Sequence, residues 1–158
     1  MNEGIGSTTV LVIIVVFIAL VSGYMAYNVN YTKAFRMKNK IISLYEENNG
    51  VCGTTCQNEI IKYAKEIGYN PAGNLDCNKT DIKPLGITDS YGSNKKGLYC
   101  EYKIAVLKSN ASDKVYSDTK DEYYYRILTR INIQIPIIQN ILNLRFLNVT
   151  GDTKSFSG

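Results

Sequence analysis

VLVIIVVFIALVSGYMAY, Val10 to Tyr27, decides how the rest of this chain must be read. Val10 to Val21 contains no polar residue, so a helix over it has no face to turn toward water. The stretch lies within a charge-free segment from Gly4 to Thr32. A bilayer core of about 30 Å needs roughly 20 apolar helical residues, and this segment supplies them with no charge to bury. It reads as a transmembrane helix in contact with membrane lipid.

Ahead of the run stands one acid, Glu3, with no Lys or Arg, and the bulky Tyr24, Met25 and Tyr27 that follow offer no small-x-small cleavage pattern. An uncleaved anchor is therefore expected. The helical pattern continues past the apolar run. Tyr27, Tyr31, Ala34, Phe35, Ile41, Ile42 and Tyr45 recur mostly three or four apart, while Lys33, Arg36, Lys38 and Lys40 fill the other face. One helix from Ser7 to Glu47 is predicted, about 60 Å long at 1.5 Å per residue, half in lipid and half outside it. The basic cluster is expected at the lipid headgroups. Asn48, Asn49 and Gly50 end the helix, with Gly as the left-handed cap.

The chain thus divides into a transmembrane helix with its amphipathic extension, 1–48, and a small disulfide-bearing α+β domain, 49–158. The excess of four positive charges comes largely from Lys33 to Lys40, and no basic patch interleaved with aromatics follows, so nucleic acid is not an expected partner. Cys52, Cys56, Cys77 and Cys100 all fall in the small domain, where an even number favours disulfides in an oxidising exterior. A four-thiolate zinc site is the alternative, although only Cys52 and Cys56 have knuckle spacing. Three disulfide connectivities are open, and Cys100, on a predicted strand, is the cysteine expected to tie the core. The positive-inside rule would leave the domain in the cytoplasm. Cysteine usage says the opposite and is preferred here, because an amphipathic extension can hold its basic face against headgroups on either side. The expectation is a single-pass cell-membrane protein with an extracytoplasmic C-terminal domain.

Beyond the long helix, Cys56 to Ile67 carries an apolar stripe of Ile60, Ile61, Ala64 and Ile67, with Thr54 or Thr55 as N-cap and Gly68 as terminator. From Tyr69 to Lys96, Pro71, Gly73, Pro84, Gly86 and Gly92 favour turns, with a short extended piece near Ile82 to Ile87. Asp76, Asp81 and Asp89 lack the calcium-loop pattern. In LYCEYKIAVL, Leu98 to Leu107, the residues Leu98, Cys100, Tyr102, Ile104 and Val106 alternate with Tyr99, Glu101 and Lys103, as in a half-buried strand. After a polar loop, Lys108 to Glu122, a second strand over Tyr123 to Ile135 sets Ile127, Thr129, Ile131, Ile133 and Ile135 opposite Leu128, Arg130, Asn132 and Gln134. The two read as an antiparallel pair. Pro136 stops the second, Ile137 to Leu142 forms an apolar turn, and Leu144 to Phe156 is a third strand with Gly151 as bulge or bend. The fold class is α+β: a long N-terminal helix, one short helix and a small antiparallel sheet.

Enzymatic signatures are absent from the sequence. There is no His for a triad or metal site, no dinucleotide fingerprint and no P-loop, and pairs such as Asp121 and Glu122 lie in polar surroundings. No cofactor or small-molecule substrate is expected. Tyr123, Tyr124 and Tyr125 read as the start of a strand rather than as a binding patch.

An apolar N-terminal helix, continued by an amphipathic half that carries a small disulfide-bearing α+β domain, resembles the pilin-like proteins of type IV filament systems. It is most similar to the TadE-like minor pilins (pseudopilins) of tight-adherence, Flp-type pilus systems. Val10 to Tyr45 looks like their membrane helix and aromatic continuation, and ILTRINIQIPIIQNILNLRFLNVTGDTKSF, Ile127 to Phe156, like their late pair of strands with a short apolar interruption. The resemblance implies a non-enzymatic subunit of a pilus or secretion filament, processed at a Gly for which Gly6 followed by Ser7 could stand. It also implies other pilin-like subunits as partners. The acid such helices carry five residues after the cut is replaced here by Leu11. Lateral packing would then rest on the apolar side chains of Val10, Ile14, Phe17 and Val21 and the small pair Ser22 and Gly23. The other reading is a stand-alone membrane-anchored binding or sensor domain.

Overall fold

The computed structural model describes residues 3–71, 75–77, 97–105, 122–132 and 146–157. Helix α1 runs unbroken over Glu3–Glu47, 45 residues, starting one turn before the predicted Ser7. At 1.5 Å per residue it is about 67 Å long. It stops where two residues in a row turn left-handed, Asn49 at φ 52° and Gly50 at φ 81°. The Gly50 N–H closes the last turn by donating to the Tyr45 carbonyl at 2.8 Å.

Helix α2 spans Thr54–Glu66. Neither threonine caps it. Gly53 is the N-cap, without a side-chain hydrogen bond, and its carbonyl accepts from Gln57 N–H at 3.0 Å. Thr54 and Thr55 lie inside the first turn, one and two places too late to cap. The entry is fixed instead by a Cys52–Cys56 disulfide, which ties the residue before the cap to that first turn. Cys56, Ile60 and Ala64 form the buried stripe, while Ile61 and Ile67 are half-buried. Gly68, at φ 62°, terminates the helix as predicted.

Four strands follow: β1, Cys100–Ala105; β2, Glu122–Asn132; β3, Phe146–Asp152; and β4, Phe156–Ser157. The sheet is antiparallel in the order β1-β2-β3, with β4 also paired to β2. The predicted pair of alternating strands is therefore present, in a register that sets Cys100 opposite Leu128. The predicted third strand is split, and Gly151 is not its bulge. Pairing with β2 is unbroken from Phe146 to Asp152, with Gly151 opposite Ile127. The extra residue comes later, where 153–155 face only Tyr124 and Tyr125 before Phe156 meets Tyr123. Gly151 answers a packing need: a Cβ there would stand 2.8 Å from Lys38 Cδ and 2.9 Å from Ile42 Cδ1.

β2 lies antiparallel along the outer half of α1. Asn30 Nδ2 donates to the Asn132 carbonyl at 2.9 Å, Thr129 Oγ1 to the Ala34 carbonyl at 3.0 Å, and the rings of Tyr45 and Tyr125 meet at 5.0 Å. The lengths match, since the helix from residue 30 to 45 rises about 22 Å and the strand from 132 to 125 about 23 Å. The main core lies between them. It joins Ala34, Met37, Ile41, Leu44 and Tyr45 to Ile60 and Ala64 of α2 and to Ile127 and Ile131 of β2.

Two expectations about faces are corrected. Tyr31 and Phe35 are about 40 % exposed, and the buried row runs through Met37 and Leu44 instead. Each step of four residues overshoots a helical turn by about 40°, so the row 27-31-35 walks off the buried side. The second correction concerns β1. Tyr99, assigned to the solvent side, is 4 % exposed in the main core, and Glu101 beside it faces α1. The apolar set Cys100, Tyr102 and Ile104 packs on the opposite face, in a second core with Leu75, Cys77 and Leu128. The sheet is covered on both sides there, and a Cys77–Cys100 disulfide closes the second core.

The expected extended piece at 82–87, the apolar turn at 137–142 and all of the polar loop expected at 108–122 except Glu122 lie outside the described residues, as do Asp81 and Asp89, whereas Glu122 opens β2.

Candidate functional site

The apolar run of α1 is bare of packing among the described residues. Every large apolar side chain from Val10 to Leu20 is more than half exposed, Val21 is 40 % exposed, and none of the apolar window is buried. The helix is long and apolar enough to cross a membrane. Val10, Ile14 and Phe17 stand on this bare surface with Ser22, while Gly23 is half-buried. Gly6 and Ser7 lie within the helix, with Gly6 exposed.

An aromatic row leads out of the apolar run. Tyr27 stacks on Tyr31 at 6.2 Å and Tyr31 on Phe35 at 6.3 Å, one turn apart, leading from the half-buried Tyr27 to the exposed Tyr31 and Phe35. Three of the basic residues have separate partners within the chain. Lys33 Nζ donates to the Gly68 carbonyl at 3.3 Å, Lys38 Nζ sits 4.3 Å over the Phe35 ring, and Lys40 pairs with Glu59 at 3.0 Å. The hydrogen bond that Lys40 donates to the Glu59 carboxylate raises the Lys40 pKa. Arg36 is exposed.

All four cysteines are oxidised in two disulfides, which chooses one of the three connectivities and removes the zinc alternative. Cys100, as expected, is fully buried.

Between α1, the end of α2 and the end of β2 lies a polar cleft of about 190 Å³, lined by Asn30, Lys33, Gly68, Tyr69, Asn70, Arg130 and Asn132. The hydroxyl of Tyr69 organises it. It accepts from the Arg130 N–H at 3.0 Å and lies within donating distance of the carbonyls of Arg130 (3.1 Å) and Leu98 (3.2 Å). Burial pushes the phenol up to about 12. Arg130 is itself 8 % exposed, and its Nε donates to Asn148 Oδ1 at 3.5 Å. Of the lining residues, the sequence pattern singled out only Lys33. The others come from three separate elements, and no spacing announces their meeting.

Glu101 faces the helix from a partly buried position. The Tyr45 hydroxyl donates to Glu101 Oε2, and burial pushes that carboxyl up to about 7. On the far face, Arg126 holds Asp152 by two bonds, at 2.7 and 2.8 Å. The pair is partly exposed and contributes at most about 1 kcal/mol.

Comparison with family models, with curated proteins and with solved structures found no match.

Proposed function

We propose that this chain is a non-enzymatic, membrane-anchored, pilin-like structural subunit, a minor or priming component of a Tad-type pilus or secretion filament. One observation carries the reading: a single unbroken helix is bare and apolar over its first half and forms the core of a disulfide-bonded sheet domain over its second. A helix that only tethered its domain would need no such continuity. Here the domain is built onto the rod, so the orientation of the anchor fixes that of the domain. Two disulfides support placing the domain on the oxidising side of the membrane. The bare stretch, with Val10, Ile14, Phe17 and Val21 outward, supplies apolar surface for like helices or lipid.

The test is fractionation with site-directed cross-linking. The full-length chain should sediment with membranes or with sheared surface filaments, and an Ile14→Cys variant should form cross-linked ladders between copies. Recovery of the unmodified chain in a soluble fraction refutes the anchored reading. Membrane recovery without any cross-linked copies refutes the filament and favours the stand-alone anchored domain, for which the polar cleft is the motivating observation.

A further inference from the structure

We infer that the cleft between α1, α2 and β2 is a binding site for a single phosphate group, presented at the depth of the phospholipid headgroups. The source of that phosphate rests on the membrane-anchored reading, whereas the chemistry of the cleft does not.

Depth is the first argument. Tyr27 ends the apolar run, and Asn30 and Lys33 follow it by about 4.5 and 9 Å along the helix axis. The polar layer of one leaflet is about 5–8 Å thick, within reach of a lysine side chain at that height. Arg36, Lys38 and Lys40 stand about 14, 16 and 20 Å beyond Tyr27, above the headgroups. Of the basic residues on α1, Lys33 is therefore the one at phosphate depth, and it is the one that lines the cleft.

Chemistry is the second. Phosphate is an anion that accepts hydrogen bonds, and it needs donors and positive charge without nearby acid. Lys33 gives one bond to the Gly68 carbonyl at 3.3 Å, and an ammonium carries three donors. Asn30, Asn70, Asn132 and Arg130 also line the cleft, Arg130 with its Nε directed to Asn148, and among the described residues no acidic side chain does. The site is also pre-formed. Tyr69 holds both backbone groups of Arg130, and the bond from Asn30 to the Asn132 carbonyl fixes the floor against α1. At about 190 Å³ the space is below that of pockets for drug-sized ligands, about 300 Å³ upward, and suits one phosphate with its ester oxygens.

The experiment uses the full chain in micelles of a non-ionic detergent. Phosphatidylglycerol and, separately, inorganic phosphate are titrated, the first read by native mass spectrometry and the second by phosphorus NMR. Wild type should hold one phosphate-bearing ligand. Lys33→Gln should weaken it about tenfold, Lys33→Arg should retain it, and Lys40→Gln, remote and paired with Glu59, should leave it unchanged. Binding of the lipid with the same Lys33 dependence identifies the headgroup as source, and binding of inorganic phosphate alone upholds the site with a soluble ligand. Binding of neither overturns the inference. So does binding that Lys33→Gln leaves intact, or that Lys40→Gln weakens equally. Failure of the anchored reading looks different: the chain stays soluble without detergent, and the inorganic phosphate titration still reports on the cleft.

Discussion

Replacing Cys77 and Cys100 together by alanine removes a bridge between residues 23 apart in sequence, whereas Cys52 and Cys56 are only 4 apart. The entropy that a cross-link takes from the unfolded chain grows with the loop it closes, to about 3.4 kcal/mol for the first loop and about 1.9 kcal/mol for the second. The difference, about 1.5 kcal/mol, is roughly tenfold in the unfolding equilibrium. Packing widens the gap. Both residues of the longer bridge are buried in the second core, Cys100 fully and Cys77 5 % exposed, whereas in the shorter bridge Cys56 is buried and Cys52 is half-buried. Deleting buried atoms there adds about 1 kcal/mol of lost contact. The assay is urea unfolding of each double-alanine variant of the full chain in detergent micelles, followed by tyrosine near-ultraviolet circular dichroism. The Cys77/Cys100 variant should show the lower midpoint by a clear margin. Equal midpoints, or a lower one for Cys52/Cys56, would refute both the pairing and the second core beneath the sheet.

Glu101 makes stability depend on pH. Its folded-state pKa, about 7, exceeds the ordinary value of 4.5, so between the two the folded chain holds a proton that the unfolded chain has lost. Stability is then greatest below about pH 4.5 and falls as pH rises through 7, by on the order of 3 kcal/mol in all. Glu101→Gln should abolish this dependence in melting curves between pH 5 and 8, and a variant that melts with the wild-type slope sinks the assignment. Gly151→Val should destabilise by about 1–3 kcal/mol by driving its side chain into Lys38 and Ile42, despite the better strand propensity of valine; a raised melting temperature contradicts this. Thr129→Val, which keeps the shape but deletes the bond to the Ala34 carbonyl, should cost about 1–2 kcal/mol, and Thr129→Ser should recover part of it in the same unfolding assay.

The parts of this fold that a periodic pattern dictates were legible in the sequence. Val10 to Val21 admits no water-facing side, and Ile127, Thr129 and Ile131 alternate because one face of β2 meets α1. The misassigned residues are those whose surroundings come from elsewhere in the chain. Glu101 looked solvent-facing because it is charged, yet its burial is set by Tyr45, fifty-six positions away. Gly151 suggested a bulge because glycine commonly marks one, whereas it lies in a regular stretch of strand beneath the side-chain ends of Lys38 and Ile42. The cleft was hidden for the same reason. Lys33, Tyr69 and Arg130 share no spacing, and only the long antiparallel run of β2 beside α1 brings them together.

That run has a mechanical consequence for a domain held at a surface. A pull directed along α1 does not open its contacts with β2 one at a time, as peeling a hairpin would. Asn30 with Asn132, Ala34 with Thr129 and Tyr45 with Tyr125 are spread along the direction of tension and share the load as a lap joint does. Force applied across the rod is different. It meets the joint at one end, where the bond between Asn30 and the Asn132 carbonyl would take the strain first, so the domain should resist traction along its axis better than bending away from it.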